Sequence, residues 1–275
     1  MLTKVLTKLL SKLGVASWQR AYLEAVNQRR GIELGGPSRI FQRFNLLPLY
    51  EPLSSLDCCN FAAQTLWRGD IVDEGAYAFS PRKPAGKQYI REVTQLSGIA
   101  DSSYDFVLAS HVLEHVANPF KAMAEISRIL VDRGSLILVL PHKDGTFDHR
   151  RATTELSHMV ADLEQGTAET DMTHLEEWLA QVDLERAPEA KPFEKFRERS
   201  LKNYENRGMH HHVFDAHLAA AFIAHAGFQI QSVDLVRPMH IFILAQKIPT
   251  PDNAAFLDPR AALYAKSPFA SDRAR

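Results

Sequence analysis

Apolar residues occur along this chain in short solid runs and in helical stripes, and the two alternate. The run Phe106 to Ala109 gives way to a polar rim of Ser110, His111, Glu114 and His115, and then to Asn118 and Pro119. A solid run of that length suits a strand covered on both faces, as in a parallel α/β sheet. Asn118 is a good helix N-cap and Pro119 fits the first turn. Phe120, Met123, Ile126, Ile129 and Leu130 continue at helical spacing. Asp132, Arg133 and Gly134 stop that helix, and residues 135–140 form another buried-type strand. Upstream, 31–34 reads as a strand before the turn Gly35, Gly36, Pro37, Ser38. A second strand is expected to end at Asp57, and 87–93 is a third, more mixed in polarity. The alternation predicts an α/β fold with a doubly wound, mostly parallel sheet.

From Pro141 to about His212 the sequence turns polar, rich in histidine and arginine, with short helical pieces. Within it, Thr173 and Glu176 are spaced as a capping box ahead of Trp178 and Leu179. Asp215, Leu218, Phe222 and Ile223 then mark a helix closed by Gly227, and 228–236 with 240–246 finish as two adjacent strands. The expected organisation is an amphipathic helical region over 1–30 and an α/β domain over 31–141 and 213–247. An inserted, largely helical substrate segment spans 142–212, and a flexible tail covers 248–275.

Composition narrows the partners. At 275 residues with 45% hydrophobic and 24% charged residues, the chain suits one large domain carrying an insertion. The net charge of −1 offers no electrostatic case for nucleic acid. Cys58 and Cys59 are adjacent, and neighbours seldom bridge each other, which points to a cytoplasmic protein. In 1–14, Leu2, Val5, Leu6, Leu9, Leu10 and Leu13 oppose Lys4, Lys8 and Lys12. Such a helix can lie on an anionic membrane surface; packing of its leucines onto the domain is the favoured expectation.

Gly35 and Gly36 let backbone approach a ligand at the first strand-to-helix turn, and Asp57 could accept from ribose hydroxyls. Together with the stretch from Ala100 through Pro119 and the segment 128–134, these residues resemble the class I S-adenosylmethionine (SAM)-dependent methyltransferases, over 31–142 and 214–247. The resemblance implies a Rossmann-like methyltransferase fold and SAM as cofactor. It implies that Glu33, Gly35 and Gly36 hold the amino-acid end of SAM, and that Asp57 takes the ribose. It also implies that Glu92 and Val93 flank the adenine, that Ser110 and His111 close over the cofactor, and that His115 is architectural. The family's loop usually carries three spaced glycines after its acid, whereas Pro37 and Ser38 follow Gly36 here.

Methyl transfer to a hydroxyl needs positioning and a base, and histidine suits the latter near neutral pH. His142 and His149, just past the fifth strand, are the candidate bases, with Asp144 or Asp148 orienting them. His142, Asp144, Asp148 and His149 could instead ligate a metal with His210, His211 or His212; their spacing fits no trusted motif, and no metal is expected. Arg150, Arg151, Lys191, Lys195, Arg197, Arg199, Lys202 and Arg207 alternate with acids and are expected to be an ion-paired face. The leading expectation is a SAM-dependent O-methyltransferase of a small or glycan-type acceptor. The alternatives are a non-catalytic scaffold with a degenerate methyltransferase fold and a metal-dependent activity of the insertion.

Overall fold

An eight-stranded sheet in the order β3-β4-β2-β1-β5-β6-β8-β7 organises the computed structural model, which describes residues 16–187 and 190–274. Its strands are β1 Arg30–Leu34, β2 Ser55–Asn60, β3 Ala76–Tyr77, β4 Gly86–Ile90, β5 Tyr104–Ser110, β6 Leu130–Pro141, β7 Phe228–Val236 and β8 His240–Lys247. The central pairs β4-β2, β2-β1, β1-β5 and β5-β6 are parallel. The short β3 at one edge and the β7-β8 pair at the other run antiparallel. The amphipathic segment 1–14 lies outside the described residues.

The solid apolar run of β5 follows from cover on both faces. Phe106 and Leu108 pack with Tyr22, Leu23 and Val26 of helix α1 (Gln19–Val26) and with Phe41, Leu49 and Tyr50. Val107 and Ala109 face the other way, against Phe120, Met123 and Ile126 of α2 (Pro119–Ile129), with Leu218 and Phe222 nearby. Successive side chains of a strand point to opposite faces, so a strand between two layers needs apolar residues at every position. Asn118 caps α2 as expected, its Oδ1 accepting from the Lys121 N–H at 3.0 Å. No helix among the described residues is long and apolar enough to cross a membrane.

The insertion contributes α3 (Leu156–Gln165), α4 (Leu175–Gln181) and α5 (Phe193–Leu201). It has a small core of its own, in which Trp178 stacks on Phe196 at 5.3 Å. The expected capping box at Thr173 is not used: His174 precedes α4 without a side-chain cap, and the Thr173 hydroxyl donates to Asp171. Helix α6 (Ala216–His225) is capped by Asp215, which accepts from the Leu218 N–H at 2.8 Å.

The segment 248–275, expected to be flexible, folds back on the domain wherever it is described. Tyr264 stacks on His217 at 3.7 Å, and Asp272 is buried. His142, expected to be a catalytic base, is fully buried here. Its ring stacks on Phe269 at 3.9 Å, and its Nε2 lies 3.1 Å from Asp272 Oδ1. Its Nδ1 accepts from the Asp144 N–H at 3.1 Å, and Asp144 Oδ2 accepts from the Ser271 N–H at 2.9 Å. His142 and Asp144 thus clamp the tail to the end of β6.

This clamp sets a stability prediction. His142→Ala removes a buried ring and strands a buried carboxylate, and should cost about 2–4 kcal/mol in denaturant unfolding. Desolvation alone would raise the Asp272 carboxyl, but His142, Ser267 and the Ala216 N–H hold it below 3.8. Its contribution is therefore present above pH 3.8 and lost as pH falls through the lower native value. An His142→Ala protein of parental stability would remove the clamp.

Candidate active site

An open parallel sheet takes its ligands beyond the carboxyl ends of its strands. There, the ends of β1, β2 and β5 open onto a cavity of about 430 Å³, within the usual span of roughly 300–1,000 Å³ for small-molecule sites. Leu34 and Gly35 line it after β1, Asn60 and Phe61 at the end of β2, and Glu92 and Val93 beyond β4. Ser110, His111 and Val112 line it after β5, while Glu169 and Arg207 of the insertion and His240 of β8 complete it. The structure therefore gathers Gly35, Glu92, Val93, Ser110 and His111 of the expected site.

The two glycines have different reasons. Gly35 adopts a left-handed backbone (φ +75°), and a Cβ there would stand 2.7 Å from Val112 Cγ2. At Gly36 a Cβ would fall 2.4 Å from Glu33 Cδ and 2.5 Å from the Tyr77 hydroxyl. Gly36 thus makes room for a buried network rather than for a ligand. Glu33 Oε2 accepts from the hydroxyls of Tyr50 (2.7 Å) and Tyr77 (2.6 Å), and Oε1 accepts from the Ser38 N–H (2.9 Å). Burial raises the Glu33 carboxyl even against these donors. Its oxygens are committed to the loop and do not line the cavity.

Asp57 also stands elsewhere. β2 runs three residues beyond it, to Asn60, and Asp57 is buried near the opposite end of the strand. Its Oδ2 accepts from the Tyr104 hydroxyl at 2.8 Å and from Arg30 Nη2 at 3.0 Å, and Oδ1 accepts from the Lys87 N–H at 2.8 Å. The strand-end position belongs to Asn60, whose Nδ2 donates to the Gly36 carbonyl at 3.2 Å and ties two cavity-side loops together. Glu92 is held by Arg207, whose guanidinium lies over Phe61 (5.3 Å) and Tyr204 (4.7 Å).

His111 is the most constrained group on the wall. It is a non-glycine residue at φ +54°, a conformation costing about 1–3 kcal/mol that the surroundings must hold. Its N–H donates to the Val139 carbonyl at 2.9 Å. One ring nitrogen, Nε2, lies 3.1 Å from His240 Nδ1, and the other, Nδ1, lies 3.4 Å from Glu114 Oε1. Burial, with His111 beside it, pushes His240 down to about 4, so it is neutral at pH 7. Glu114 is fully buried, and neither of its oxygens makes a hydrogen bond of ordinary geometry. Burial alone would raise its carboxyl, but His111, His115 and His210 hold it below the usual value.

Glu114, His115 and His210 each offer one ligand atom within 4.8 Å of one another, so the floor of this site could hold a divalent cation. His115 Nδ1 faces the Met209 carbonyl, and His210 Nδ1 bonds to Asp148. His149, the other expected base, is outside the cavity wall and pairs with Asp183 at 2.8 Å. Asn60 and His240 went unrecognised in the sequence, and Arg207 was expected only as part of an ion-paired face, not on the cavity wall. A rim pattern marks only residues next to one strand, and these three come from the β2 end, the insertion and the β8 start.

Residues 59–138 match the model of a methyltransferase domain family. A 44-residue stretch is 52% identical to an uncharacterized protein of Methanocaldococcus jannaschii, and covers 16% of this chain and 19% of that relative. Among solved structures, the chain is similar to a SAM-dependent methyltransferase of Methanosarcina mazei, with 13% identity and a TM-score of 0.48; the match covers 84% of this chain and 98% of that one. It is also similar to one from Mesorhizobium loti, with 15% identity, 83% and 95% coverage, and a TM-score of 0.48. The family match begins within β2 and ends within β6, spanning three of the loops that wall the cavity. Over residues 59–138 the chain is thus similar to a methyltransferase domain, in the part of the sheet that walls the cavity.

Proposed function

We propose that this chain methylates a hydroxyl of a small or glycan-type acceptor, with His111 as the general base. The observation that carries the reading is the placement of His111: strained, on the cavity wall, and bracketed by a buried carboxylate and a neutral imidazole. Bound SAM supplies an electrophilic methyl group on a sulfonium. As the acceptor oxygen bonds to that carbon, the carbon–sulfur bond breaks with its electron pair left on sulfur. The acceptor hydroxyl takes the place of His240 Nδ1 at His111 Nε2 and gives its proton to that nitrogen, while His111 Nδ1 faces Glu114, whose charge stabilises the imidazolium so formed.

The residues present fit the cofactor in part. The Gly35 turn, the apolar walls of Phe61 and Val93, and Glu92 supply a cradle of suitable size and polarity. The acid that would take the ribose is replaced at the strand end by Asn60. The basic residues of the insertion do not by themselves mark an anionic acceptor, because several are paired: Arg207 with Glu92 and Glu169, Arg150 with Asp183, and Lys191 with Glu185. A second reading, in which a divalent cation on Glu114, His115 and His210 orients the acceptor, is favoured by the unbonded Glu114 oxygens.

Two measurements test this. In calorimetry with SAM, Asn60→Ala should weaken binding roughly fivefold, the equivalent of about 1 kcal/mol for a lost hydrogen bond. Asp57→Ala should instead lower the melting temperature and leave affinity nearly unchanged. No SAM binding by the parent protein would favour a scaffold with a degenerate site. Once an acceptor is found, His111→Gln should lose turnover by about 10²–10⁴-fold with SAM still bound, whereas folded His149→Ala should turn over like the parent. Parental rates in His111→Gln would remove His111 as the base.

A further inference from the structure

A second group of histidines sits in the insertion, away from the cavity wall. His158 and Asp162 lie four residues apart on α3 and present their side chains to one point. His174, just before α4, brings its Nε2 to 3.0 Å from His158 Nε2. His212 approaches from the chain leading into α6, with its Nε2 3.8 Å from Asp162 Oδ2. His158 Nε2 is itself 3.6 Å from the same oxygen. Asp171 and His211 adjoin the group, 3.6 Å apart.

Two features separate this cluster from an ordinary polar scaffold. His212 is 1% exposed, and neither of its ring nitrogens makes a hydrogen bond of ordinary geometry. Asp162 Oδ2 is likewise buried without a hydrogen-bond partner, while the Thr167 hydroxyl occupies Oδ1 at 3.0 Å and turns Oδ2 inward. Native structures seldom leave buried polar atoms unmet, and an absent ion is one accepted reason. The spacings also suit a metal. Zinc–nitrogen bonds near 2.0–2.1 Å put neighbouring ligands of a tetrahedral site about 3.3–3.4 Å apart, against 3.6 and 3.8 Å here.

We propose that His158, Asp162 and His212, whose ligand atoms all lie within 4.8 Å of one another, bind one divalent transition-metal ion, zinc by ligand type, that pins the insertion together, with His174 adjoining through His158. The ion would join α3 and the segment before α6, with the loop before α4 beside them. The proposal is independent of the methyl-transfer reading.

The test uses the full chain, with metal content by mass spectrometry and cobalt(II) as a spectroscopic probe. The parent should copurify with, or take up, about one zinc per chain at this site. Chelation should lower its melting temperature and added zinc should restore it. Cobalt(II) should give the visible bands of a tetrahedral nitrogen and oxygen site. His212→Ala and the milder His158→Asn, at a partly exposed ring, should each lose that ion; His210→Ala should keep it. Should His212→Ala fail to fold, His158→Asn alone decides. The proposal is overturned if the parent neither holds zinc nor responds to zinc and cobalt(II), or if bound metal depends on His210 and Glu114 but not on His158.

Discussion

One buried carboxylate fixes the cavity side of this protein. Glu33, at 0% exposure on the central strand β1, must find donors or stay protonated, and it finds three. Tyr77 comes from the edge strand, Tyr50 from the loop after Gly36, and the Ser38 N–H from the loop itself. Satisfying that acid therefore sets the path of residues 35–50 and the position of β3 together. Pro37 gives no N–H, and the first available donor after it is the one that Glu33 takes. The loop is held by an internal acid that accepts from both sides of it. The backbone at Gly35 remains the part that faces the cavity.

The same constraint explains how the sequence could be read and where it misled. Strands between two layers are legible because cover on both faces demands an unbroken apolar run, and β5, β7 and the α2 cap stand where their patterns put them. Asp57 misled because an acid inside a run looks like the end of a strand. Its partners, Arg30, Tyr104 and the Lys87 N–H, lie 27, 47 and 30 residues away, so nothing local announces a buried acid. His142 misled for a related reason. Proximity to the end of β6 is visible in the sequence, whereas Asp272 and Phe269, which consume the ring, are 130 and 127 positions downstream. The position of Gly35, Glu92, Val93, Ser110 and His111 on the cavity wall was legible because each lies at, or within three residues of, the end of a parallel strand.

The insertion poses a different physical problem. Its apolar cluster around Trp178, Phe196 and Met209 is small and separate from the two large layers on the sheet. Burial of that size supplies little to offset the ordering of some seventy residues. Helix α3 packs Met159, Leu156 and Val160 onto the core of the sheet, and the rest of the segment is joined to the domain through polar groups. Arg151, at 1% exposure, donates to Asp148 at 3.1 Å, to the His210 carbonyl at 2.9 Å and to Glu177 at 3.2 Å. Asp148 in turn holds His210, and the His211 N–H reaches the Glu114 carbonyl at 2.8 Å.

Such a network has a directional consequence for the active site. Glu114 faces His111 on the cavity side and receives the His211 backbone on the insertion side, so it belongs to both units. An insertion held by apolar contact could slide on the sheet at small cost, since hydrophobic attraction is non-directional. One held by a buried arginine, a carboxylate and histidines can occupy only the arrangement that satisfies them all. The position of Arg207 over Phe61, and with it the far wall of the cavity, is thereby tied to the residues that orient His111. The shape of the cavity and the orientation of His111 are then set by one polar framework, which accounts for so many histidines in a segment that, among the described residues, contributes one bonded arginine and one carboxylate to the cavity wall.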